Sequence, residues 1–519
     1  MPIRREETTT TDDGLAEFGY AQKLERSLGG FATFAAGVSF ISILTGCFQL
    51  FYFGYGFAGP AYWWTWPIVF VGQLMVALCF AELAARYPVA GSVYNWSKRL
   101  GSPAGSWFAG WSLLFGQLFS MAGAALALQI TLPQIWSGFQ VVGDGSTPSD
   151  FALNGVLLGS ALIVATTLIN AFGVKLMGRV NSVGVAVELV ASVTLIVLLA
   201  LHVRQPISVL FDTERAGEGS PLGYLGAFLV ASLATGFVMF GFDTASSLGE
   251  EAKDPKRGSP VAILRAINAS FFLGGSILLL GILSARDPSD KRIGSGAGGL
   301  QFLVLDALGP VAGTALLCCV AVAVCVCVLA IHTASIRSVF AMARDGGLPF
   351  SASLARVNQK SRTPVVPAIV IGLGAIVILL VNVGQPEVFT TVTSVAVVLV
   401  YVAYLLVTIP MLVQRIRGGW SGRDNGPGYF SLGRLGIPVN VIAVVWGFLM
   451  ALNLVWPRSE IYGSVPWAGV VACAGIGTVG VIVYVVRTRR GVGVLAEHRS
   501  DPAQAHAASS SADRVVPPR

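Results

Sequence analysis

The segments GVSFISILTGCFQLF, residues 37–51, and SLATGFVMFGFDTASSLGEE, residues 232–251, decide how this chain is read. Each lies in a long apolar run, yet each carries small and polar residues at the middle of that run. The first has Ser39, Ser42, Thr45 and Gly46; the second has Thr235, Gly236, Gly241, Asp243, Thr244, Ser246 and Ser247. A helix surrounded by hydrocarbon keeps its peptide groups bonded to one another, so interruptions at that depth point to backbone lining a cavity. The other reading of Gly, Ser and Thr is close helix–helix packing, which is common in membranes.

The sequence around these segments has the composition of a membrane protein. Hydrophobic residues make up 54% of the 519 and charged residues only 12%, whereas soluble domains carry roughly a quarter charged residues. A hydrocarbon core takes about 20 apolar residues per span. Apolar stretches fall near 31–57, 62–84, 103–133, 151–173, 180–202, 223–248, 261–284, 310–341, 365–383, 387–413, 437–456 and 464–486. The expected fold is therefore an all-α membrane protein of twelve transmembrane helices.

Residues 1–29 mix acids, bases and threonines and lack the short apolar core of a signal peptide. Residues 489–519 are Ala-, Ser- and Pro-rich, too poor in apolar side chains to build a core, and are expected to be a disordered tail. The seven cysteines fall inside apolar runs, so no disulfide framework is implied. Cys325 and Cys327 leave a helix in different directions, which favours packing over soft-metal binding, and no metal or cofactor is expected.

With the N-terminus in the cytoplasm, 28 Lys and Arg fall on the inner side and six on the outer. That bias has the sign of the positive-inside rule, and both termini are expected to be cytoplasmic. The bases are spread over many loops, which suits anionic lipid head groups and gives no support to nucleic-acid binding.

The two interrupted spans open successive five-helix blocks, and an odd number of spans per block forces the blocks into opposite orientations. Carriers built as inverted repeats bind substrate between two discontinuous helices in corresponding positions. Amides at the start of a half-helix favour an anion and carbonyls at the end of the preceding half favour a cation, so a zwitterion suits both. The expected layout is a tail at 1–29, a first repeat at 30–202, a second at 203–416, two peripheral helices at 417–488 and a tail at 489–519.

Ionisable groups within spans are costly and are functional candidates by default. Asp243 lies in the sixth-span interruption, where it could pair with a substrate ammonium, orient opened backbone or carry a proton. Glu188 sits in the middle of the fifth span with no base nearby in sequence; it is either a group that gains and loses a proton or a neutral, hydrogen-bonded acid. Glu82, Glu250 and Glu251 lie at inner helix ends near Arg86, Lys253, Lys256 and Arg257, and are expected to be solvated or paired there. His332 is read as a packing residue, with function as the alternative. Phe237, Phe240 and Phe242 flank the interruption and either close over a substrate or face lipid.

Three inner-loop segments together carry a family resemblance: FAELAARYPVAGSVYNWSKRLGSPAG from Phe80 to Gly105, GFDTASSLGEEAKDPKRGSPVAI from Gly241 to Ile263, and SIRSVFAMARDGGLPF from Ser335 to Phe350. With them the chain resembles the amino acid/polyamine/organocation permease superfamily, especially its amino acid and choline transporter branch, over about residues 28–488. The resemblance implies ten core helices in the 5+5 inverted repeat, with discontinuous helices 1 and 6 and peripheral helices 11 and 12. It implies that amides of Leu44, Thr45, Gly46 and Cys47 receive a substrate carboxylate. The amine would meet carbonyls near Ser42, Phe237 and Phe240, with Phe237 as the gating aromatic, and Gly241 and Asp243 complete the expected site. The chain departs from the family in two places. The usual Gly-Ser-Gly of helix 1 is here Leu44-Thr45-Gly46, and Glu188 stands where some relatives carry Lys.

The expected function is a secondary active permease of the plasma membrane, multi-pass, carrying amino acids or small amines such as γ-aminobutyrate by alternating access. A proton, through Glu188 or Asp243, is the expected coupling ion, and substrate is expected between helices 1, 3, 6 and 8. The alternatives are a choline, organic-cation or polyamine carrier, an exchanger, and a channel or amino-acid sensor of the same fold. A membrane enzyme lacks a metal-ligand cluster, nucleophile elbow or phosphate loop in the sequence.

Overall fold

The computed structural model describes residues 28–488, apart from 146, 214–216, 218–221, 297, 360, 382–387 and 421–428. The expected tails at 1–29 and 489–519 lie outside the described residues, except for residues 28 and 29. The described chain is all-helical. Its one bridge between extended segments joins Leu28 to Ala252.

The first span is divided into α1 (Gly30–Ile41) and α2 (Ile43–Ala58), followed by α3 (Thr65–Arg86), α4 (Ser92–Leu100), α5 (Pro103–Ile135), α6 (Pro148–Phe172) and α7 (Val174–Ala200). The sixth span is divided into α8 (Tyr224–Val238) and α9 (Thr244–Ser247). Beyond it come α10 (Pro255–Ala269), α11 (Gly275–Ser284), α12 (Gly299–Arg344), α13 (Ser351–Leu354), α14 (Val365–Val381), α15 (Val388–Ile416), α16 (Gly436–Val455), α17 (Ser459–Tyr462) and α18 (Ala468–Thr488). Among the described residues, ten helical stretches are long and apolar enough to cross a membrane, and Tyr224–Val238 and Val365–Val381 are shorter apolar helices. The first of these is cut short by the interruption after it, and the second runs directly into residues 382–387.

Local chemistry places the helix ends. α5 and α6 each begin with Pro at the first turn behind a hydroxyl cap: Ser102 Oγ accepts from Gly105 N at 3.1 Å, and Thr147 Oγ1 accepts from Asp150 N at 3.1 Å. α12 starts before the expected 310–341 span because ten residues precede its kink at Gly309, which has φ 76° ahead of Pro310. That Gly-Pro pair separates a short, largely buried helix from a membrane-length one. Between α10 and α11, residues Ser270–Gly274 form one π turn, and the indole N–H groups of Trp66 and Trp63 donate to Phe271 O and Gly275 O at 3.0 Å each. Those donors satisfy carbonyls that the wider turn misaligns.

The helices sort by what surrounds them. α2, α5 and the second half of α12 are largely buried, with α5 packed along both α12 and α15. α14, α16 and α18 present outward rows such as Leu373, Val377 and Leu380 on the first, and Ile442, Val445 and Leu449 on the second. Apolar surface on that scale needs a hydrocarbon solvent.

Candidate functional site

The chain leaves helical geometry at Ser42, which has φ 42° and ψ 93° although it carries a side chain. A non-glycine residue there costs of order 1–2 kcal/mol and persists only when its surroundings hold it. The holding group comes from α7. Glu188 Oε1 accepts from the Ser42 hydroxyl at 3.0 Å and from Leu44 N at 3.0 Å, while Ser42 Oγ lies 2.6 Å from Thr45 Oγ1. A carboxylate thus caps the N-terminus of α2, where exposed amides and the helix dipole favour an anion. Glu188 is 1% exposed and its Oε2 has no hydrogen-bond partner among the described residues.

Between α8 and α9 five residues, 239–243, are non-helical, and Gly241 has φ 86°. A Cβ at Gly241 would overlap the Phe40 ring, so both backbone conformation and space require glycine there. Tyr404 of α15 holds this segment: its hydroxyl accepts from Gly241 N at 3.0 Å and donates to Asp243 Oδ1 at 2.5 Å. Ser92 at the start of α4 donates to Asp243 Oδ2 at 3.2 Å and lies 2.9 Å from Ser247 Oγ.

The two interruptions meet on one buried cleft, with room of about 10 Å³, on the order of a single water. From the first span its walls include Phe40, Thr45, Gly46 and Gln49; from the sixth, Phe237 and Phe240; from α5, Ser120 and Ala124; from α12, Cys327 and Ile331. A Cβ at Gly46 would come within 2.6 Å of a Val238 methyl, so the bare α-carbon is what lets α2 and α8 approach. Phe240 stands edge-on to both Phe40 and Phe237, with centroids 5.8 Å apart in each pair.

Of the residues singled out in the sequence, Thr45, Gly46, Phe237 and Phe240 line this cleft, and Ser42, Cys47, Gly241 and Asp243 do not. Ser42 and Gly241 shape it through their backbone. The Cys47 thiol points to Gly274 O at 3.9 Å, and Asp243 is bonded to Tyr404 and Ser92. The expected nest of amides is also differently used. Leu44 N goes to Glu188, and Gly46 N closes the first turn of α2 on Ser42 O at 2.9 Å. Gln49, Ser120, Cys327 and Tyr404 were not legible as site residues, because they stand in ordinary apolar helices and only the packing brings them together.

Away from the cleft, on the side of α9 beyond the interruption, buried acids pair with bases distant in sequence. Glu251 receives Arg337 at 2.9 and 3.2 Å, Glu250 receives Arg344 at 3.1 Å, Asp345 receives Lys98 at 2.6 Å, and Glu82 pairs with Arg415. The sequence neighbours Arg86, Lys253, Lys256 and Arg257 are not the bases in these pairs. His332 bridges helices, with Nδ1 3.0 Å from Thr166 Oγ1 and Nε2 2.9 Å from Ala368 O, consistent with a packing histidine.

A family model described as "Amino acid permease" matches residues 28–479 of this chain. Amino-acid permease BAT1 of Arabidopsis thaliana is 28% identical over 500 residues, covering 88% of this chain and 92% of that protein. Amino-acid permease 2 of Neurospora crassa is 27% identical over 464 residues, covering 87% and 82%. The branched-chain amino acid permease BcaP of Bacillus subtilis is 26% identical over 416 residues, covering 75% and 83%.

Proposed function

The chain belongs to the amino acid permease family, as an amino-acid transporter of the membrane and not an enzyme, and from that premise we propose that it is a proton-coupled secondary carrier working by alternating access. In this reading it has twelve spans, ten of them in two inverted five-helix blocks, and sits in the plasma membrane with both termini cytoplasmic. The observation that carries the reading is the meeting of both interrupted spans on one buried cleft, with Thr45 and Gly46 on one wall and Phe237 and Phe240 on another.

The substrate is an amino acid or a related small amine such as γ-aminobutyrate. Its ammonium meets carbonyls left by the end of α8 and by the end of α1, which carry the partial negative charge of a helix C-terminus. Its carboxylate belongs at the start of α2, where Glu188 already serves as a resident anion. Protonating Glu188 weakens its charge-assisted hold on Leu44 N and leaves that amide for the substrate carboxylate. Proton and substrate therefore enter together, and one negative charge remains at the helix end throughout. Asp243 has a different part, fixing the opened sixth span through Tyr404 and Ser92. The ion pairs Glu250–Arg344, Glu251–Arg337 and Lys98–Asp345 close the cytoplasmic side and separate when the carrier opens inward. Removing one partner of such a buried pair strands the other charge.

A choline or other organic-cation carrier finds aromatic faces in Phe40, Phe237 and Phe240, but no carboxylate is among the described lining residues of the cleft. Reconstituted vesicles with acid outside separate the readings. The expected result is saturable accumulation of a labelled amino acid, driven by the pH gradient and competed by other amino acids more strongly than by choline or polyamines. Flux that does not saturate, or no accumulation against a gradient, contradicts the carrier.

A further inference from the structure

One polar group on the cleft is left without work by the architecture. Gln49 of α2 is 1% exposed and lines the cleft, and its Nε2 donates to Gly123 O of α5 at 2.9 Å. That bond fixes the orientation of the amide, because the reverse would set two carbonyl oxygens against each other. Its Oε1 is buried and has no hydrogen-bond partner among the described residues. A buried acceptor without a donor loses its hydration with nothing in return, and a native site that keeps one is completed by whatever enters it.

The other polar walls are already engaged. Ser120 donates to Gly116 O at 2.7 Å, and the Cys327 thiol faces Phe40 O at 3.6 Å. No charged side chain is among the described lining residues, and Phe237, Phe240 and Ile331 make the rest of the wall apolar. A charged substrate side chain would be stripped of water there with no counter-charge to meet it.

Resting on the carrier reading above, we propose that Gln49 is a specificity-determining residue and that the substrates are amino acids with a small, uncharged side chain bearing an O–H or N–H donor. That donor bonds to Gln49 Oε1. A site built to satisfy a polar group rejects the analogue of equal shape that lacks the partner, since its own acceptor is then stranded. Threonine and valine are such a pair.

The test is equilibrium binding to the purified full-length protein, with threonine, valine, lysine and glutamate as ligands, for wild type and for Gln49→Leu and Gln49→Met. Wild type is expected to bind threonine about tenfold tighter than valine, the equivalent of one hydrogen bond of ~1.4 kcal/mol, and to bind lysine and glutamate more weakly than threonine. Both variants are expected to bring the threonine-to-valine ratio to about one. Met keeps the packing volume should Leu fail to fold. The proposal is overturned if wild type binds valine as tightly as threonine, if lysine or glutamate matches threonine, or if the ratio survives in a folded variant. The first two decide it on the wild type alone. Absence of binding by any amino acid would instead strike at the carrier reading itself.

Discussion

At the first interruption the chain leaves helical geometry at a single residue, Ser42, and resumes at once, whereas at the sixth it stays open over residues 239–243. The first is held by a carboxylate: Glu188 takes the Ser42 hydroxyl and the Leu44 amide. The second is held by a neutral phenol and a fixed acid: Tyr404 takes the Gly241 amide and bonds Asp243, which Ser92 also bonds. The carboxyl at the first break keeps one oxygen unpartnered, while both oxygens of Asp243 are engaged. On the carrier reading we propose, the break that changes its state is the short one with the spare lone pairs, and the long break is a fixed frame for the aromatic wall. In the carrier we propose, this division gives the proton to Glu188 and a structural role to Asp243.

The long break is most vulnerable at Gly241. Gly241→Val adds a β-branched side chain at φ 86° and drives it into Phe40, where backbone strain alone costs of order 1–3 kcal/mol. Uptake is expected below a tenth of wild type, measured with thermal unfolding to quantify the fold defect. Wild-type uptake would mean that the frame is not needed.

Tyr404→Phe removes both bonds that Tyr404 makes to the long break and is expected to cost roughly 2 kcal/mol of stability, about 1 kcal/mol per bond. The change should appear as a lower unfolding midpoint, while the pH dependence of transport keeps its shape. A shifted pH profile would tie Asp243 to the proton after all.

The smallest effect sharpens the short break. Ser42→Ala keeps the strained φ and loses the bond to Glu188, whereas Ser42→Gly loses the bond but relieves the strain. The glycine variant is expected to be about 1 kcal/mol more stable than the alanine variant. An alanine variant of equal or greater stability would contradict the conformation assigned to Ser42.

The apolar spans, the two interrupted segments and the family were legible in the sequence because each is local: a run of hydrophobic residues, a cluster of Gly, Ser and Thr, a loop motif. The residue at which the first span breaks was not. Nothing near Ser42 marks it above Thr45 or Gly46, and its conformation depends on Glu188, 146 positions away. Tyr404 was silent for the same reason, being one aromatic among many until it meets Gly241 across 163 positions. The acids at helix ends were recognised as needing partners, but their bases were sought nearby in sequence. Glu82 pairs with Arg415 across 333 positions. Gln49 reads as a lone polar residue in an apolar helix, and only the bond to Gly123 and the cleft beside it separate its two amide atoms into one used and one free.

We propose that Glu188 holds the start of α2 as an anion and yields it to substrate when protonated. Glu188→Gln keeps an acceptor for Leu44 N and cannot titrate. In vesicles this variant is expected to retain exchange of labelled for unlabelled substrate while losing accumulation driven by a pH gradient. Accumulation at the wild-type level in Glu188→Gln would contradict a coupling role for Glu188.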